Sequence, residues 1–331
     1  MKPWLWLSPQ VAHDFGPLGL KLWSQFSSPQ NLNWRPRDWR GLHFRNPLGI
    51  AGGVDKTGAS LESWYHFGCG FLELGTVTPK AQAADSGKIM ARDTQTLSVW
   101  NKMGFPGPGA DLILKKLESM KDKLPRPLFI NIGKNRTTPN ENAAADYVLC
   151  FEKLHSFADA FVVNISSPNT TGLRDLSSQS FLENLLGSIA KSQSRLKTHI
   201  PIFLKLSPDM SELELTDLLD RSLSVGIDGW ILTNTTLSRQ KNSKFQNDGG
   251  VSGKALSELS KRKLREAVKH LGNRKEDRLL ISAGGVMTPE EVKERLELGA
   301  DLVQVYSALI FHGPLFFKET AKYFDKLEPK T

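Results

Sequence analysis

The sequence predicts a (β/α)8 TIM barrel with a small N-terminal helical extension. Short apolar runs alternate with longer amphipathic stretches eight times between residues 46 and 326. This alternation is typical of parallel strands joined by helices, and eight repeats are the number that close a barrel. A doubly wound open sheet is the alternative architecture, but the glycine-rich fingerprint expected after its first strand is absent.

The apolar runs are predicted to be the barrel strands, at residues 46–53, 71–78, 127–133, 160–166, 201–207, 229–235, 279–285 and 302–308. Helices are predicted near residues 57–67, 108–123, 141–157, 178–197, 211–225, 255–271, 288–298 and 314–326. Capping residues mark several of the helix starts: Ser211 precedes two glutamates, and Thr288 precedes Pro289.

Residues 1–40 are predicted to form a separate unit ahead of the barrel domain at residues 41–331. Five of the eight tryptophans lie in this segment, and Ser8-Pro9 indicates a helix start. Residues 1–45 carry six Lys and Arg against two Asp, an excess of four positive charges. Short amphipathic helices with aromatic and basic flanks suit a membrane interface or a ligand tunnel. The alternative is a helical pair that covers one end of the barrel core.

The composition is that of a globular protein, with 331 residues, 39% apolar and 24% charged. The net charge of +8 is spread along the chain and interleaved with acidic residues, so a nucleic-acid groove is not indicated. Cys69 and Cys150 lack metal-ligand spacing, which favours core thiols in a reducing compartment. The sequence shows neither a signal peptide nor a run of 18 apolar residues.

Polar or glycine residues follow nearly every apolar run. They are Asp55, Lys56, Thr76, Asn131, Lys134, Asn164, Ser167, Lys205, Asn234, Gly284, Gly285, Tyr306 and Ser307. Because the carboxyl ends of barrel strands meet at one mouth, these residues are expected to lie together there. Separate structural roles at eight strand ends would be the alternative explanation. The pattern therefore predicts an enzyme, or a descendant of one.

The stretch 164–170 is the most unusual of these strand ends. Two amides, three hydroxyls and Pro168 follow the buried run 160–163 within seven residues. Ser167 has no His or Asp beside it in the sequence, so a hydrolase nucleophile is not indicated. The alternative is a turn in which these side chains cap backbone groups.

Glycine-rich ends come late in the chain, at residues 249–253 and 282–285, and Tyr306-Ser307 ends the last run. Glycines let backbone N–H groups approach a phosphate, and barrels often hold phosphate after strands 7 and 8. A flexible loop is the alternative for residues 249–253.

Two lysines, Lys56 and Lys205, lie after or within apolar strands, where an ammonium is costly without an anion. Neutral donors and acceptors come from Asn101, Asn131, Asn164, Asn169 and Asn234. This combination points to flavin mononucleotide (FMN) with a pyrimidine-like substrate, although other phosphate-binding barrels compete.

At this level of detail the chain resembles the dihydroorotate dehydrogenases, and within them the quinone-linked, membrane-associated class 2. The resemblance covers nearly the whole chain in order, through NPLGIAGGVDKTG, LELGTVTPKAQ, NKMGFPGPG, NIGKNRTTP, DYVLCFEKL, NISSPNTTGLRDL, TNTT, GGVSG and LVQVYSALIFHGP. It implies oxidation of dihydroorotate to orotate in pyrimidine synthesis, with FMN as hydride acceptor and a quinone as final electron acceptor.

The resemblance implies a role for each matching residue, with Ser167 as the catalytic base. Substrate contacts are implied at Lys56, Asn101, Lys102, Met103, Gly104, Phe105, Asn164, Asn169, Asn234 and Thr235. FMN contacts are implied at Ala51, Gly52, Gly53, Thr76, Asn131, Asn164, Lys205, Thr233, Ser252, Gly253, Gly284, Gly285, Tyr306 and Ser307. Quinone-site groups are implied at His13, Arg92 and Tyr306, and no metal is implied.

Four departures from the family pattern are present, and one of them is a pair of residues. Gly52 stands where alanine is usual, and Thr171 where proline or alanine follows SSPNT. Pro106-Gly107 replaces a common Asn-Asn, and Ala91 replaces a bulkier residue. The changes at Pro106 and Ala91 bear on loop shape and tunnel width rather than on the reaction.

In the implied mechanism, Ser167 removes the C5 proton beneath a closed lid, aided by a relay through Thr170 or water. The lid is expected at residues 167–179, with Gly172 in its middle. A class 1 enzyme using fumarate or NAD is disfavoured by serine in place of cysteine and by the aromatic N-terminal segment. A flavin-binding module without turnover is disfavoured by the intact Ser167 and Lys56. The expected location is peripheral, on the cytoplasmic side of a bacterial membrane, because no transit peptide precedes the chain.

Overall fold

The computed structural model describes residues 2–170, 179–241 and 243–327, and the side chains of residues 179 and 180 are left aside. The strands are β1 (Arg37–Trp39), β2 (Leu42–Phe44), β3 (Leu48–Ile50), β4 (Leu72–Val77), β5 (Met90–Asp93), β6 (Ser98–Asn101), β7 (Leu128–Ile132), β8 (Ala160–Asn164), β9 (Ile202–Leu206), β10 (Gly229–Leu232), β11 (Gly250–Gly253), β12 (Leu279–Ala283) and β13 (Leu302–Val305). The α-helices are α1 (Pro9–Gln25), α2 (Leu61–His66), α3 (Ala110–Glu118), α4 (Ala143–Leu154), α5 (Gln179–Gln193), α6 (Glu212–Ser224), α7 (Ser257–Leu271), α8 (Pro289–Glu297), α9 (Ser307–His312) and α10 (Phe316–Leu327).

Eight parallel strands form the barrel in the order β3-β13-β12-β10-β9-β8-β7-β4. Backbone hydrogen bonds close it between the outer strands, from Gly70 N to Leu48 O at 2.8 Å and from Ile50 N to Phe71 O at 3.2 Å. Each predicted strand and each predicted helix is present within a few residues of its expected place. The predicted barrel is confirmed.

The amino-terminal end of the barrel is filled by aromatic rings. Phe44 packs edge-on against Phe71 and Phe129, and Phe129 stacks on Phe203 with ring centroids 5.2 Å apart. The antiparallel β1–β2 hairpin contributes Phe44 and Trp39 to this cluster. The floor of the barrel is therefore closed and apolar, which leaves the carboxyl end as the accessible one. The predicted domain boundary falls in the turn of this hairpin, and the division into two domains stays a prediction.

An antiparallel sheet of three strands, in the order β11-β6-β5, was not predicted. It pairs Gly250 with Asn101 and Gly253 with Ser98. Gly253 has a φ of +81°, and a Cβ there would lie 2.3 Å from Leu97 O, so the close pairing requires glycine. The segment that was read as a phosphate loop or a flexible loop is thus a strand for most of its length.

The N-terminal segment begins with a 3-10 helix (Pro3–Leu5) and continues into α1. The predicted start of α1 is confirmed: Ser8 Oγ accepts a hydrogen bond from Val11 N, and Pro9 is the first helical residue. Trp23 packs edge-on against Phe67 of the barrel, with ring centroids 5.3 Å apart. Across the residues that the structure describes, no helix has the length and apolarity to cross a membrane.

The two cysteines are buried free thiols, as predicted. Burial raises the pKa of the Cys69 thiol to about 12 and also raises the pKa of the Cys150 thiol. Both thiols are therefore unreactive core groups.

Candidate active site

One cavity opens at the carboxyl ends of the barrel strands, and we call it the mouth. It brings together most of the residues that were assigned to substrate and cofactor. The lining includes Ala51, Gly52, Gly53, Lys56, Thr76, Asn101, Met103, Gly104, Phe105, Asn164, Ser167, Asn169, Lys205, Thr233, Asn234, Thr235, Ser252, Gly284, Gly285, Tyr306 and Ser307. These residues come from strand ends far apart in the sequence, and the parallel register of the barrel gathers them.

Three assigned residues do not line the mouth. Lys102 follows the β6 residue Asn101 and points away from the mouth, where it forms an ion pair with Asp248 at 2.7 Å. Asn131 lies fully buried beneath the cavity, and Gly253 is enclosed in the three-stranded sheet. Their assigned contacts remain predictions.

The asparagines at the mouth hold one another in fixed orientations. Asn234 Nδ2 donates to Asn164 Oδ1 at 3.2 Å and to Ser166 Oγ at 3.0 Å. Asn164 Nδ2 donates to Thr76 Oγ1 at 3.2 Å, and Asn169 Nδ2 donates to Asn101 Oδ1 at 2.9 Å. Because each amide is oriented by a neighbour, the mouth offers a pre-set pattern of donors and acceptors. Such a pattern suits a flat ligand with amide or imide edges.

Ser167 lies in the mouth with its side chain nearly buried. Its Oγ accepts a hydrogen bond from Asn169 N at 3.2 Å. Among the described residues, no His, Asp or Glu forms a hydrogen bond with this hydroxyl. The Thr170 hydroxyl is buried nearby in the chain without a described partner. Most of the predicted lid, with Gly172 and the departure at Thr171, lies outside the described residues.

Glu73 was missed by the sequence analysis and occupies the centre of the barrel below the mouth. It is fully buried and accepts hydrogen bonds from Lys205 Nζ at 3.0 Å, Asn131 Nδ2 at 2.5 Å and Gln304 Nε2 at 2.5 Å. Lys205 was predicted to need an anionic partner, and Glu73 is one. A carboxylate within the apolar run of β4 was the available signal.

Gly52 is the departure from the family pattern that touches this network. A Cβ on residue 52 would lie 2.2 Å from Glu73 Oε1 and 3.0 Å from Asn131 Nδ2. Glycine at this position therefore leaves room for the Glu73 carboxylate as it stands.

Gly284 and Gly285, which follow β12, form a cradle in the lining of the mouth. Gly284 and Gly285 have φ values of +97° and +72°, and a Cβ on Gly285 would lie 2.2 Å from Ser257 Cα. Within the described residues, the N–H groups of Gly284 and Gly285 have no acceptor. Two hydroxyls, Ser252 Oγ and Ser307 Oγ, lie 2.9 Å apart beside them. Unpartnered N–H groups and hydroxyls that line one cavity are suited to a phosphate.

Lys56 is a cation without a carboxylate partner among the described residues. Within the described part of the chain, its one side-chain hydrogen bond joins Lys56 Nζ to His13 Nε2 at 3.4 Å. Burial lowers the pKa of Lys56 to about 8, against the opposing charges of Asp55 and Asp14. Burial and the charge of Lys56 lower the pKa of His13 to about 4, so His13 is neutral near pH 7 and can accept from the ammonium.

A second cavity, of about 1290 Å³, lies between α1 and the barrel, and we call it the tunnel. His13, Arg92 and Tyr306, the three residues assigned to a quinone, all line it. The tunnel and the mouth share four lining residues, which are Lys56, Met103, Pro106 and Tyr306. The two cavities are therefore neighbours with a common wall.

Arg92 ties the N-terminal segment to the tunnel. Its guanidinium donates to Leu5 O at 2.7 Å, to Trp4 O at 3.2 Å and to Leu7 O. Burial lowers the pKa of Arg92 and raises the pKa of Tyr306 to about 12. Ala91, one of the positions that depart from the family pattern, also lines the tunnel, and its small side chain leaves space there.

The outer surface of the N-terminal segment is apolar. Its exposed large side chains are Trp6, Leu7, Val11, Phe15, Leu18, Leu22 and Phe26, with Trp6 77% and Phe26 87% exposed. Val11, Phe15, Leu18 and Leu22 recur at helical spacing and so lie on one face of α1. A patch of this kind marks a binding surface for a protein or a membrane.

Comparisons with known proteins agree with one another. The family model described as dihydroorotate dehydrogenase matches residues 37–327. The chain is 38% identical to dihydroorotate dehydrogenase (quinone) of Vibrio parahaemolyticus, covering 96% of each chain, and 39% identical to that of Thermus thermophilus, covering 94% of this chain and 90% of the relative. It is also similar to the solved structure of DHODH from Eimeria tenella in complex with ferulenol, with a TM-score of 0.88 and 28% identity over 97% of this chain and 91% of the other.

Proposed function

The chain belongs to the dihydroorotate dehydrogenase family, and we propose that its mouth oxidises dihydroorotate to orotate while its tunnel admits the quinone that accepts the electrons. The reaction is an oxidoreductase step of pyrimidine synthesis. The observation that carries the assignment is the pair of adjacent cavities, one polar and one beneath an apolar helix, with Lys56 and Tyr306 in their common wall.

The cofactor that fits the mouth is FMN, which when bound takes a hydride from the substrate and passes electrons on to the quinone. The glycine cradle and the hydroxyls of Ser252 and Ser307 would hold its phosphate. Lys205, fixed by Glu73, would place positive charge beside the flavin ring. Support for this fit comes from the unpartnered N–H groups of Gly284 and Gly285.

The substrate carboxylate would pair with Lys56. This ammonium is half-buried, and its described hydrogen-bond partner is a neutral histidine. It lacks a counter-ion among the described residues, and an anionic ligand would supply one. The amides of Asn101, Asn169 and Asn234 would then bind the ring edges of dihydroorotate. Charge and hydrogen bonding together select a pyrimidine ring that carries a carboxylate.

Ser167 would take the C5 proton of dihydroorotate. A hydroxyl is a weak base, so water has to be excluded while the proton moves and a second group has to accept it. The buried hydroxyl of Thr170, which has no described partner, is the nearest candidate along the chain for that relay.

The tunnel would take the quinone. Its apolar wall suits an isoprenoid tail, and His13, Arg92 and Tyr306 are the polar groups available for the quinone oxygens. The apolar face of α1 would rest on a bilayer as a peripheral contact, so that quinone passes from lipid into protein. The proposed location is the cytoplasmic face of a bacterial membrane.

The test is to purify the protein, identify its flavin, and add dihydroorotate without oxygen. We expect bound FMN whose colour is lost on adding dihydroorotate and restored on adding a quinone. A protein that contains no flavin, or whose flavin is reduced by NADH rather than by dihydroorotate, would contradict the proposal.

A further inference from the structure

Arg295 of α8 is a fully buried guanidinium that the proposed reaction leaves without a role. Its Nη2 donates to Ser257 O at 3.1 Å and to Gly284 O at 3.2 Å, and its Nη1 donates to Ser282 Oγ at 3.3 Å. Its Nε has no described partner. Burial lowers the pKa of Arg295 to about 10, so the group is still charged near pH 7.

The carboxylates near Arg295 are committed elsewhere. Glu291 accepts from Met287 N at 2.5 Å and from Thr288 N at 3.1 Å, in the cap of α8. Glu258 and Glu294 both form ion pairs with Lys261. Within the described ranges, no carboxylate oxygen forms a salt bridge with Arg295. A buried charge without a counter-ion is costly, and the cost is offset when an anion is held nearby.

We propose that Arg295 is a positioning residue that prepares the glycine cradle for a phosphate monoester, the phosphate of the cofactor assigned above. The inference rests on the proposed function and adds the residue that orients the cradle. Arg295 does not line the mouth itself, so it acts through Gly284 and Ser257.

The geometry of one peptide group explains how it acts. The carbonyl of Gly284 and the N–H of Gly285 belong to the same planar trans peptide, so they point in opposite directions. Arg295 and Ser260 Oγ, which donates at 2.7 Å, both bind the Gly284 carbonyl. The N–H of Gly285 is thereby directed away from Arg295, and Gly285 lines the mouth.

The positive charge of Arg295 also favours a phosphate at the cradle. The guanidinium lies one peptide group behind the cradle in a fully buried site, where screening by water is weak. Its field therefore favours an anion over a neutral group at the cradle. A neutral ligand such as riboflavin, which lacks the phosphate, would gain little from Arg295.

The experiment compares FMN with riboflavin. Flavin is removed from the wild-type protein, from Arg295→Met and from Arg295→Lys, and the Kd of each flavin is measured by fluorescence quenching. Arg295→Met is expected to raise the Kd of FMN by about 30-fold or more, the effect of losing a charged hydrogen-bonding group, and that of riboflavin by less than about 3-fold. Arg295→Lys keeps the charge but cannot place separate nitrogens on Ser282 Oγ and on the carbonyls of Ser257 and Gly284, as the planar guanidinium does. An intermediate loss specific to FMN is therefore expected.

Arg278→Met is the matched control, because Arg278 also donates to a backbone carbonyl, Ile227 O at 3.0 Å, but lies at the opposite end of β12. It should leave the Kd of both flavins unchanged. If Arg295→Met fails to fold, the test rests on Arg295→Lys, for which the change in the Kd of FMN is compared with the change in the Kd of riboflavin in the same way. Equal losses for the two flavins, or no loss for either, would overturn the role of Arg295. A wild-type protein that binds neither flavin would instead overturn the proposed cofactor, and this role with it.

Discussion

The mouth and the tunnel differ in how their side chains are held. At the mouth, asparagine amides bind one another, and Lys205 is fixed by a carboxylate that is itself held by two further donors. In the tunnel, apolar side chains of α1 face the barrel across a space of about 1290 Å³. Proton and hydride transfer need fixed distances, whereas a quinone with an apolar tail needs access. The two halves of the reaction therefore place opposite demands on the same chain.

The common wall is where the two demands meet. Lys56 lines both cavities, and its ammonium is hydrogen-bonded to the imidazole of His13, which belongs to α1 and lines the tunnel. A variant changed in only one cavity should therefore lose the half-reaction of that cavity before it loses the other.

The largest effect is expected from removing the Glu73 carboxylate at the centre of the barrel, and it is an effect on stability. Glu73→Ala would leave Lys205 buried without its counter-ion, which costs about 3–5 kcal/mol in the free energy of unfolding. Urea unfolding of the flavin-free protein measures this cost. Lys102→Ala, which breaks the exposed pair with Asp248, is the control and should leave the unfolding midpoint unchanged. Equal stability of the two variants would show that the barrel centre is not held by this pair.

The proposed role of Ser167 as the base is tested by Ser167→Ala. We expect FMN and orotate to bind as in the wild type, because neither depends mainly on this hydroxyl. Reduction of the flavin by dihydroorotate should slow by about 10²-fold or more, the usual contribution of a general base. Rapid mixing without oxygen measures that rate. An unchanged rate would assign the base to another group, with Thr170 examined next.

The charge of Lys56 predicts a pH dependence for orotate binding. Its pKa is lowered to about 8, so the ammonium is present below that pH and is lost above it. The affinity for orotate should therefore be constant near pH 6–7 and fall towards tenfold per pH unit as pH rises beyond about 8. Titration of the flavin spectrum with orotate from pH 6 to 9 gives the profile. A flat profile across this range would exclude Lys56 as the carboxylate partner.

The smallest effect is expected at His13, which lines the tunnel and contacts Lys56 of the common wall. His13→Ala removes one polar contact worth about 1 kcal/mol, so the quinone KM should rise about fivefold. Dihydroorotate-dependent flavin reduction should change less, because Lys56 keeps its place in the mouth. Steady-state assays with varied quinone and rapid mixing with dihydroorotate provide the two numbers. A larger loss in flavin reduction than in quinone use would place His13 with the mouth instead.

Much of the barrel was predictable because its signals are local. Each strand is a short apolar run, and caps such as Ser211 and Thr288 mark where helices begin. The sheet of β5, β6 and β11 was not predicted. Its strands are four residues long, and β11 pairs with a partner about 150 residues earlier in the chain. Pairing over such separations leaves no periodic signal.

Among the site residues, too, those marked by a local sequence signal were predicted and those defined by long-range contacts were not. Strand-end polar residues were gathered at the mouth as the parallel barrel requires. Lys102, directly after the last residue of β6, instead forms an ion pair with Asp248. The sequence predicts that Lys205 needs an anionic partner, because it lies within an apolar strand. It does not indicate that the partner is Glu73, which is 132 residues away along the chain. The contact of His13 with Lys56 depends on how α1 docks, which sequence alone does not specify.

Removing α1 while leaving the β1–β2 hairpin and the stacked Trp34–Phe324 pair in place separates the two half-reactions most directly. In a variant lacking residues 2–28, we expect dihydroorotate to reduce the bound flavin within about threefold of the wild-type rate. Reoxidation by a quinone with an isoprenoid tail should slow by at least tenfold, because the apolar wall that α1 gives the tunnel is gone. A folded, flavin-loaded variant that still reduces this quinone at the full rate, or that loses both half-reactions equally, would contradict the division of labour between tunnel and mouth.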